Sequence, residues 1–258
     1  MKKIFALVLA VVMLATGTAF ATTVDDVKAS GKLVIATSPD FPPFESLDAE
    51  NNPVGIEMEL MALVAAELGV ELDVQQMDFD SVLPGIIAGK YTVGVSGISV
   101  TDARKKNSLF TDPYCLAAQA IVVKEGSPIA SKADLDGKKI AVQSGTTAEA
   151  FTMGQGYDVL SFAANPDAEL ALTTGKVQAW VIDDLTAKEM VDEYNAKSSE
   201  KLVVLDEPMT TEPYAFALKL GNDELCSAIN DIINKLVADG TVASLFEKYE
   251  APYTSPIA

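Results

Sequence analysis

The sequence contains no histidine and only two cysteines. The absence of histidine excludes catalytic triads built on histidine and zinc sites that use imidazole ligands. Cys115 and Cys226 are too few to form a disulfide framework, and the sequence leaves open whether they pair with each other. No other pattern indicates a metal site or a cofactor, so we expect neither.

Basic residues are also scarce, with 19 lysines and arginines against 37 aspartates and glutamates, a formal net charge of −18. Such a surface repels phosphate backbones and anionic lipid, so we expect no binding to nucleic acid. The charge says little else, because acidity mostly serves solubility.

Only one long apolar run occurs, at residues 4–15, between Lys2-Lys3 and the small-residue sequence Ala19-Phe20-Ala21. This order is typical of a secretory signal peptide, and the run is shorter than the ~20 residues of a membrane-spanning helix. We therefore predict a signal peptide over residues 1–21 and an exported mature chain. No cysteine lies directly after the run, where a lipoprotein would be acylated, so no lipid anchor is expected. A buried N-terminal helix is the alternative.

Strand and helix patterns alternate through the rest of the chain, which predicts an α/β fold with mostly parallel sheets. The predicted strands are 33–37, 70–75, 92–96, 120–124, 139–143 and 179–182. The predicted helices are 55–68, 81–88, one from about 147, 166–173, 185–194, 223–238 and 242–249.

Two proline-containing stretches, 111–114 and 208–214, interrupt this alternation, as segments between lobes often do. If both are crossings, one lobe comprises 24–114 plus 214–258 and the other comprises 119–208. The hinge segments are then about 114–119 and 208–214. A single domain with two ordinary loops remains the alternative on spacing alone.

The segment 95–104 has the pattern of an anion site. A strand ends near Gly97 and Ser99, Thr101 is a suitable N-cap, and Arg104 lies in the first turn of the helix that follows. Parallel sheets bind ligands at the carboxyl ends of their strands, and a helix N-terminus attracts anions. Arginine adds a bidentate donor for a carboxylate. Ordinary helix capping is the alternative.

Residues 141–147 repeat the pattern of strand, small polar turn and helix start in the other half of the chain. Two such turns, one from each lobe, would face each other across a cleft. The pattern alone is compatible with two interpretations, a paired anion site and two unrelated helix caps.

Several stretches together, in their order and spacing, resemble family 3 of the bacterial extracellular solute-binding proteins, the polar amino-acid receptors of ABC importers. The resemblance runs from residue 31 to residue 250, nearly the whole predicted mature chain. The stretches that carry it are GKLVIAT (31–37), DFPPFE (40–45), MDF (77–79), SGIS through RKK (96–106), FTDPY (110–114), LDGK (135–138), QSGTT (143–147) and GT (240–241).

The resemblance implies a two-lobed periplasmic-binding-protein fold of type II with two hinge crossings. It also implies a periplasmic, monomeric receptor without enzymatic activity. The implied partners are a free amino acid and the membrane permease of an ABC importer.

The resemblance also implies how the common part of an amino acid is held. The backbone of Gly97, together with Ser99, Arg104 and Thr147, falls where the family binds the ligand carboxylate. Asp183 falls where the family binds the ligand ammonium. Without the resemblance, Asp183 is as easily explained as a helix cap.

The same resemblance places Ser38, Phe41, Phe79 and Gln143 around the ligand side chain. Family members that bind basic side chains or a side-chain amide commonly have an acid at the position of Ser38, so the serine argues against a cationic ligand. The stretches Met77-Asp78-Phe79 and Gly97-Ile98 look most like those of glutamine receptors. We therefore expect a neutral polar, glutamine-like ligand. A basic amino acid is the alternative ligand.

Two other functions are open at this stage. An enzyme on the same scaffold, acting on a small carboxylic acid as a dehydratase does, needs a proton-transfer group such as Asp183 or Glu45. A sensory input domain is the third interpretation. No paired acid and base is evident in the sequence, so a receptor is expected.

Overall fold

The computed structural model describes residues 21–256, so the predicted signal peptide lies outside the described residues except for Ala21. None of the helices in this range is long and apolar enough to cross a membrane. The helices are α1 (Val24–Ser30), α2 (Ile56–Leu68), α3 (Phe79–Ile87), α4 (Asp102–Lys105), α5 (Thr147–Gly154), α6 (Asn165–Thr173), α7 (Asp184–Lys197), α8 (Asp223–Ala238) and α9 (Thr241–Lys248).

The strands are short and most belong to two five-stranded sheets. Their bounds are β1 (Lys32–Thr37), β2 (Ser46–Leu47), β3 (Pro53–Val54), β4 (Glu71–Gln76), β5 (Val93–Gly94), β6 (Ser108–Phe110), β7 (Cys115–Ala117), β8 (Gln119–Lys124), β9 (Lys139–Gln143), β10 (Asp158–Phe162), β11 (Ala179–Asp183), β12 (Leu202–Val204), β13 (Glu212–Tyr214) and β14 (Ala217–Lys219).

Each five-stranded sheet forms one lobe. The first sheet has the order β4-β1-β5-β14-β6 and the second the order β10-β9-β11-β8-β12. The first therefore takes strands from both ends of the chain, whereas the second takes one continuous stretch. Between them, β7 and β13 pair antiparallel, with Tyr214 opposite Cys115. The chain thus passes from one lobe to the other twice, at β7 and at β13.

The sheets are mixed. In each, four of the five strands run in one direction, as predicted, and one strand runs against them. In the first sheet, β1 pairs parallel with β4 and β5, but β14 runs antiparallel to β5 and β6. In the second, β9 pairs parallel with β10 and β11, but β8 runs antiparallel to β11 and β12. The reversed strands β8 and β14 each follow a crossing strand within three residues. They enter their sheets directly from the crossing. A strand can pair in parallel with the preceding strand only after a crossover connection, usually a helix, and these two strands have none.

Each lobe has its own apolar core beneath its sheet. In the first lobe, Leu33 and Ile35 of β1 are fully buried and pack with Leu60 of α2 and Ile229 of α8. In the second, Trp180 of β11 is fully buried among side chains of the neighbouring strands and helices. Alternation along the strands and the helical spacing of apolar residues produce these faces.

The crossing strands are braced by the end of the chain. The Leu116 amide donates to the carbonyl of Thr254, and the Tyr253 hydroxyl donates to the carbonyl of Tyr114. Both cysteines are free thiols: Cys115 is buried in β7, and the Cys226 Sγ lies 3.5 Å from the Phe110 carbonyl oxygen. The lobe and hinge boundaries given above stay predictions.

Candidate functional site

A small cavity lies between the two lobes, at the carboxyl ends of strands from both sheets. This is where an open α/β sheet binds its ligands. Eight of the nine residues predicted to form the site line the cavity, and Ser38 does not. The lining residues are Phe41, Phe79, Ser96, Gly97, Ser99, Arg104, Gln143, Thr146, Thr147 and Asp183.

Arg104 reaches from the first lobe to the second. Thr101 caps α4 by accepting a hydrogen bond from the Arg104 amide (3.1 Å), as its sequence position predicts. The guanidinium then donates to the Ser99 carbonyl (2.9 Å) and, across the cleft, to the Gly145 carbonyl (3.0 Å). A guanidinium has five N–H donors, so donors remain for a ligand. Burial lowers the pKa of Arg104, but an arginine stays protonated in proteins.

The turn of the second lobe, residues 143–147, contacts the turn that carries Arg104. The Thr147 hydroxyl lies 3.5 Å from the Ser99 hydroxyl, and Thr146 caps α5 through the Glu149 amide. Gly145 has a φ of +79°, and a Cβ there would lie 3.0 Å from the Asp80 Cα. The structure therefore brings together the two turns that the sequence pattern predicted to face each other.

Asp183 ends β11 and is buried, with both carboxylate oxygens occupied. One accepts a hydrogen bond from the Gln119 side-chain amide and the other from the Tyr214 hydroxyl. Burial raises the pKa of Asp183 to about 7, although these two hydrogen bonds act in the opposite direction. Burial, followed by the neighbouring Asp183 charge, raises the pKa of Tyr214 well above its usual range.

Gln119 and Tyr214 are functional candidates that the sequence did not reveal. Each lies beside a crossing, Gln119 at the start of β8 and Tyr214 at the end of β13. Gln119 also donates to the Thr147 hydroxyl (3.2 Å), so it connects the second-lobe turn with Asp183. The one available signal was their position next to the two proline-containing stretches, which indicates a crossing but no ligand contact.

The backbone of Gly97 is engaged within the protein. Its amide donates to the Glu57 carboxylate (3.0 Å), whose other oxygen accepts from the Tyr114 hydroxyl (2.6 Å). The Gly97 amide is therefore not free for the ligand carboxylate. Glycine is required here because φ is +52° and a Cβ would lie 2.5 Å from the Phe41 Cε1.

Glu45, nominated from the sequence as a proton-transfer group, is fully buried behind Ser96 and does not line the cavity. It accepts a hydrogen bond from the Ser96 hydroxyl (3.0 Å). Burial, and then the charge of Glu57, raises the pKa of Glu45 well above its usual range. The carboxyl group therefore supports the Ser96-Gly97 loop from behind and has no path to a ligand atom.

Ser38 is held one layer away from the cavity. Its hydroxyl donates to Asp40 (2.7 Å), and its amide donates to the hydroxyl of Ser96, which does line the cavity. The prediction that Ser38 contacts the ligand side chain is therefore not supported by its position. The resemblance placed Ser38 beside the ligand, but in this chain its hydroxyl is bound to Asp40.

The cavity thus has two chemically different ends. The charged end comprises Arg104 and Asp183 with Ser99 and Thr147. The side-chain end comprises Phe41, Phe79 and Gln143. The charged end has one cation and one anion, which is the charge pattern that complements a zwitterion. Within residues 21–256, no group of three Cys, Asp or Glu side chains is placed to hold a metal ion.

Most of the chain is similar to known proteins of one family. The family model of the bacterial extracellular solute-binding proteins, family 3, matches residues 33–252. An L-cystine-binding protein, TcyJ, of Escherichia coli K12 is 30% identical over 86% of this chain and 84% of its own. A putative ABC transporter arginine-binding protein 2 of the same strain is 28% identical over 83% of this chain and 88% of its own.

Solved structures share the two-lobed fold. A mutant of ArgBP from T. maritima has a TM-score of 0.83 at 35% identity, over 89% of this chain and 99% of that one. An ancestral arginine-binding protein bound to glutamine has a TM-score of 0.80 at 36% identity, over 86% and 99%. An ancestral amino acid-binding protein, AncCDT-1, a precursor of cyclohexadienyl dehydratase, has a TM-score of 0.80 at 31% identity, over 88% and 99%.

Proposed function

Because the chain belongs to family 3 of the bacterial extracellular solute-binding proteins, we propose that it binds a free L-amino acid and delivers it to the permease of an ABC importer. The observation that carries this proposal is the charged end of the cavity. Arg104 and Asp183 line one small cavity from opposite lobes. An amino acid carries a carboxylate, which complements Arg104, and an ammonium, which complements Asp183.

The energetics favour a zwitterionic ligand over a singly charged one. A buried charge is costly unless a partner is held with it, and each charge-assisted hydrogen bond contributes roughly 1.5–3 kcal/mol. A carboxylate at Arg104 and an ammonium at Asp183 satisfy both groups at once. A few such bonds reach the ~8 kcal/mol of a micromolar complex.

The ligand is proposed to hold the lobes together. The turn containing Gly97, Ser99 and Arg104 belongs to the first lobe, and the groups it faces belong to the second. A ligand in contact with both lobes stabilises the closed form, and opening about β7 and β13 would release it. We propose that the closed monomer is what the permease recognises, in the periplasm, after removal of residues 1–21.

For the ligand side chain, we propose a neutral polar group of the glutamine type. Gln143 supplies an amide at the side-chain end, where Phe41 and Phe79 also line the cavity with aromatic rings. An ancestral arginine-binding protein with the same fold is described bound to glutamine, which supports the proposal. The second candidate is a basic amino acid, favoured by the arginine-binding relative and by the carboxylate of Asp40 beside Gln143.

An enzymatic role on the same scaffold is the remaining alternative. Asp183, whose pKa is raised to about 7 by burial, has the acidity of a general base. The described cavity wall offers Arg104 as its other ionisable side chain, and an arginine does not exchange protons at neutral pH. We therefore propose binding without chemistry.

Thermal unfolding in the presence of each of the twenty amino acids, followed by calorimetry, tests the receptor proposal. One or a few amino acids should raise the unfolding temperature, because a ligand at 100 times its dissociation constant adds about 2.7 kcal/mol of stability. If no amino acid stabilises the protein and a small carboxylic acid is turned over, the receptor proposal is wrong and the protein is an enzyme.

A further inference from the structure

Asp40 links the first lobe to the side-chain end of the cavity, although it was not among the residues predicted to form the site. One of its carboxylate oxygens accepts from the Gln143 side-chain amide (2.9 Å) and from the backbone amide of Asn165 (2.8 Å), the first residue of α6. The other accepts from the Ser38 hydroxyl (2.7 Å). Burial raises the pKa of Asp40, but three donors converge on the group and act against that rise, and the N-terminus of α6 favours its charge.

This contact fixes the orientation of the Gln143 amide. Both hydrogens of its nitrogen are used, one by Asp40 and one by the Ala163 carbonyl (3.1 Å). Rotating the amide by 180° would place its oxygen against two oxygens that cannot donate. The Gln143 oxygen accepts instead from the Asn165 side-chain amide (3.0 Å). An amide oxygen has two acceptor positions, so Gln143 can offer a ligand one acceptor and no donor.

The hydroxyl groups next to Gln143 are committed as well. Ser96 donates to Glu45 and accepts from the Ser38 amide. Thr146 donates to the Gln143 carbonyl and accepts from the Glu149 amide. Among the described side chains that line the cavity, the donors still available are on Arg104, Ser99 and Thr147, all at the charged end.

We infer that Asp40 is a specificity-determining residue: it holds Gln143 as an acceptor and places a negative charge behind it, so that the site admits a ligand side chain that donates a hydrogen bond and excludes an acidic one. The inference rests on the proposed amino-acid receptor and narrows its ligand to amide, hydroxyl or cationic side chains. Glutamine against glutamate is the sharpest comparison, because the two differ in a single group of nearly equal size.

The discrimination has two physical sources. A glutamate carboxylate has no hydrogen to donate to the Gln143 oxygen, and it finds no free donor at the side-chain end. Asp40 adds repulsion between like charges in a buried site. Together these predict that glutamate binds at least about 100-fold more weakly than glutamine, since each tenfold corresponds to 1.4 kcal/mol.

The test is calorimetric titration of the full mature chain and of Asp40→Asn with all twenty amino acids. In Asp40→Asn, the new carbonyl oxygen still accepts from Gln143 and Asn165, and the new amide donates to Ser38, so the geometry is kept while the charge is removed. We expect the ratio of the dissociation constants for glutamate and the tightest ligand to fall at least tenfold. Asp167→Asn is the matched control, because it removes an exposed charge from the first turn of the same α6 helix and should leave the ratio unchanged.

The outcomes separate this inference from the receptor proposal. The inference on Asp40 is supported if the chain binds an amino acid with an amide, hydroxyl or cationic side chain and if, of the chains tested, Asp40→Asn alone also binds glutamate. An acidic or purely aliphatic amino acid as the tightest ligand overturns it while the receptor stands. Asp40 is not the determinant if the ratio of the two dissociation constants is the same in Asp40→Asn as in the wild-type chain. The same holds if Asp40→Asn still shows no detectable binding of glutamate. No binding of any amino acid by the wild-type chain overturns the receptor proposal itself.

Discussion

The two ends of the cavity differ in what their polar groups leave available. At the charged end, Arg104 retains free donors and Asp183 holds a charge that burial makes costly. At the side-chain end, Gln143 has both of its N–H groups occupied by acceptors of the protein itself. The charged end is therefore suited to the part that all amino acids share. Selection at the other end depends on the one acceptor position that the protein leaves open.

Removing Arg104 should give the largest effect. Arg104→Ala leaves a buried ligand carboxylate without its partner, so we expect every amino acid that binds to lose about 2–5 kcal/mol of affinity. Titration calorimetry against the ligands found in the panel measures the loss. If the charged end is indifferent to the side chain, the losses should be similar for all of them.

Lys105→Ala is the matched control for Arg104→Ala, because it removes an exposed positive charge from the same short helix. It should change affinity by no more than the few tenths of a kcal/mol expected of a surface charge. A loss confined to one ligand in Arg104→Ala would contradict the division of the cavity into a common and a selective end.

The pH dependence of binding should give the second effect. The ligand ammonium needs an ionised Asp183, whose pKa is about 7 in the unliganded protein. Affinity should therefore fall as the pH drops below about 7, by up to tenfold per pH unit, which is 1.36 kcal/mol. Calorimetry between pH 5 and pH 8 checks this, and Asp183→Asn should bind weakly with little dependence on pH.

The stability of the unliganded protein should change in the opposite direction. Asp183 has a higher pKa in the folded chain than in the unfolded one, so the folded state retains a proton that the unfolded state releases. Its contribution to stability is present below about pH 4 and is lost as the pH rises to about 7. Thermal unfolding should therefore show a larger gain from the ligand at pH 8 than at pH 5. An equal gain at both values would show that Asp183 does not meet the ammonium.

Tyr214→Phe should have the smallest effect. The Tyr214 hydroxyl donates to Asp183 and holds down its pKa, so its removal should move the midpoint of the pH dependence upward. The affinity at pH 7 should drop by about 0.5–1.5 kcal/mol, the value of one hydrogen bond. Tyr253→Phe removes a hydroxyl that donates to the Tyr114 carbonyl, away from the cavity, and should leave the midpoint in place. A midpoint that stays put in Tyr214→Phe would mean that the hydroxyl does not tune Asp183.

The secondary structure was predicted most reliably where local chemistry alone decides it. The helix Asp223–Ala238 and the strand Lys139–Gln143 begin and end at the predicted residues, because apolar spacing and flanking polar residues define them. The direction of β8 and the existence of β14 were missed, because both depend on the path of the chain between lobes. Two-residue strands such as Val93–Gly94 exist only through their pairing.

The site shows the same division. Arg104 was found from the pattern of its strand–turn–helix segment, whereas the roles of Thr147 and Gln143 came from the resemblance to the family. Gln119, Tyr214 and Asp40 were missed because their partners are distant in sequence: Asp40 and Gln143 are 103 residues apart, and Tyr214 and Asp183 are 31 apart. No window of local sequence contains both members of such a pair.

By itself, the sequence determined which residues are available at the ends of the strands and which charges they carry. It supplied Arg104, an N-cap at Thr101 and a glycine at position 97 through the requirements of a short segment, and Asp183 through the resemblance to the family. The tertiary structure decided which hydrogen-bonding groups remain free, because that depends on partners brought together from both lobes. Asp40 illustrates the difference: along the chain it is one acidic residue before a phenylalanine, and in the folded protein it sets what Gln143 can accept.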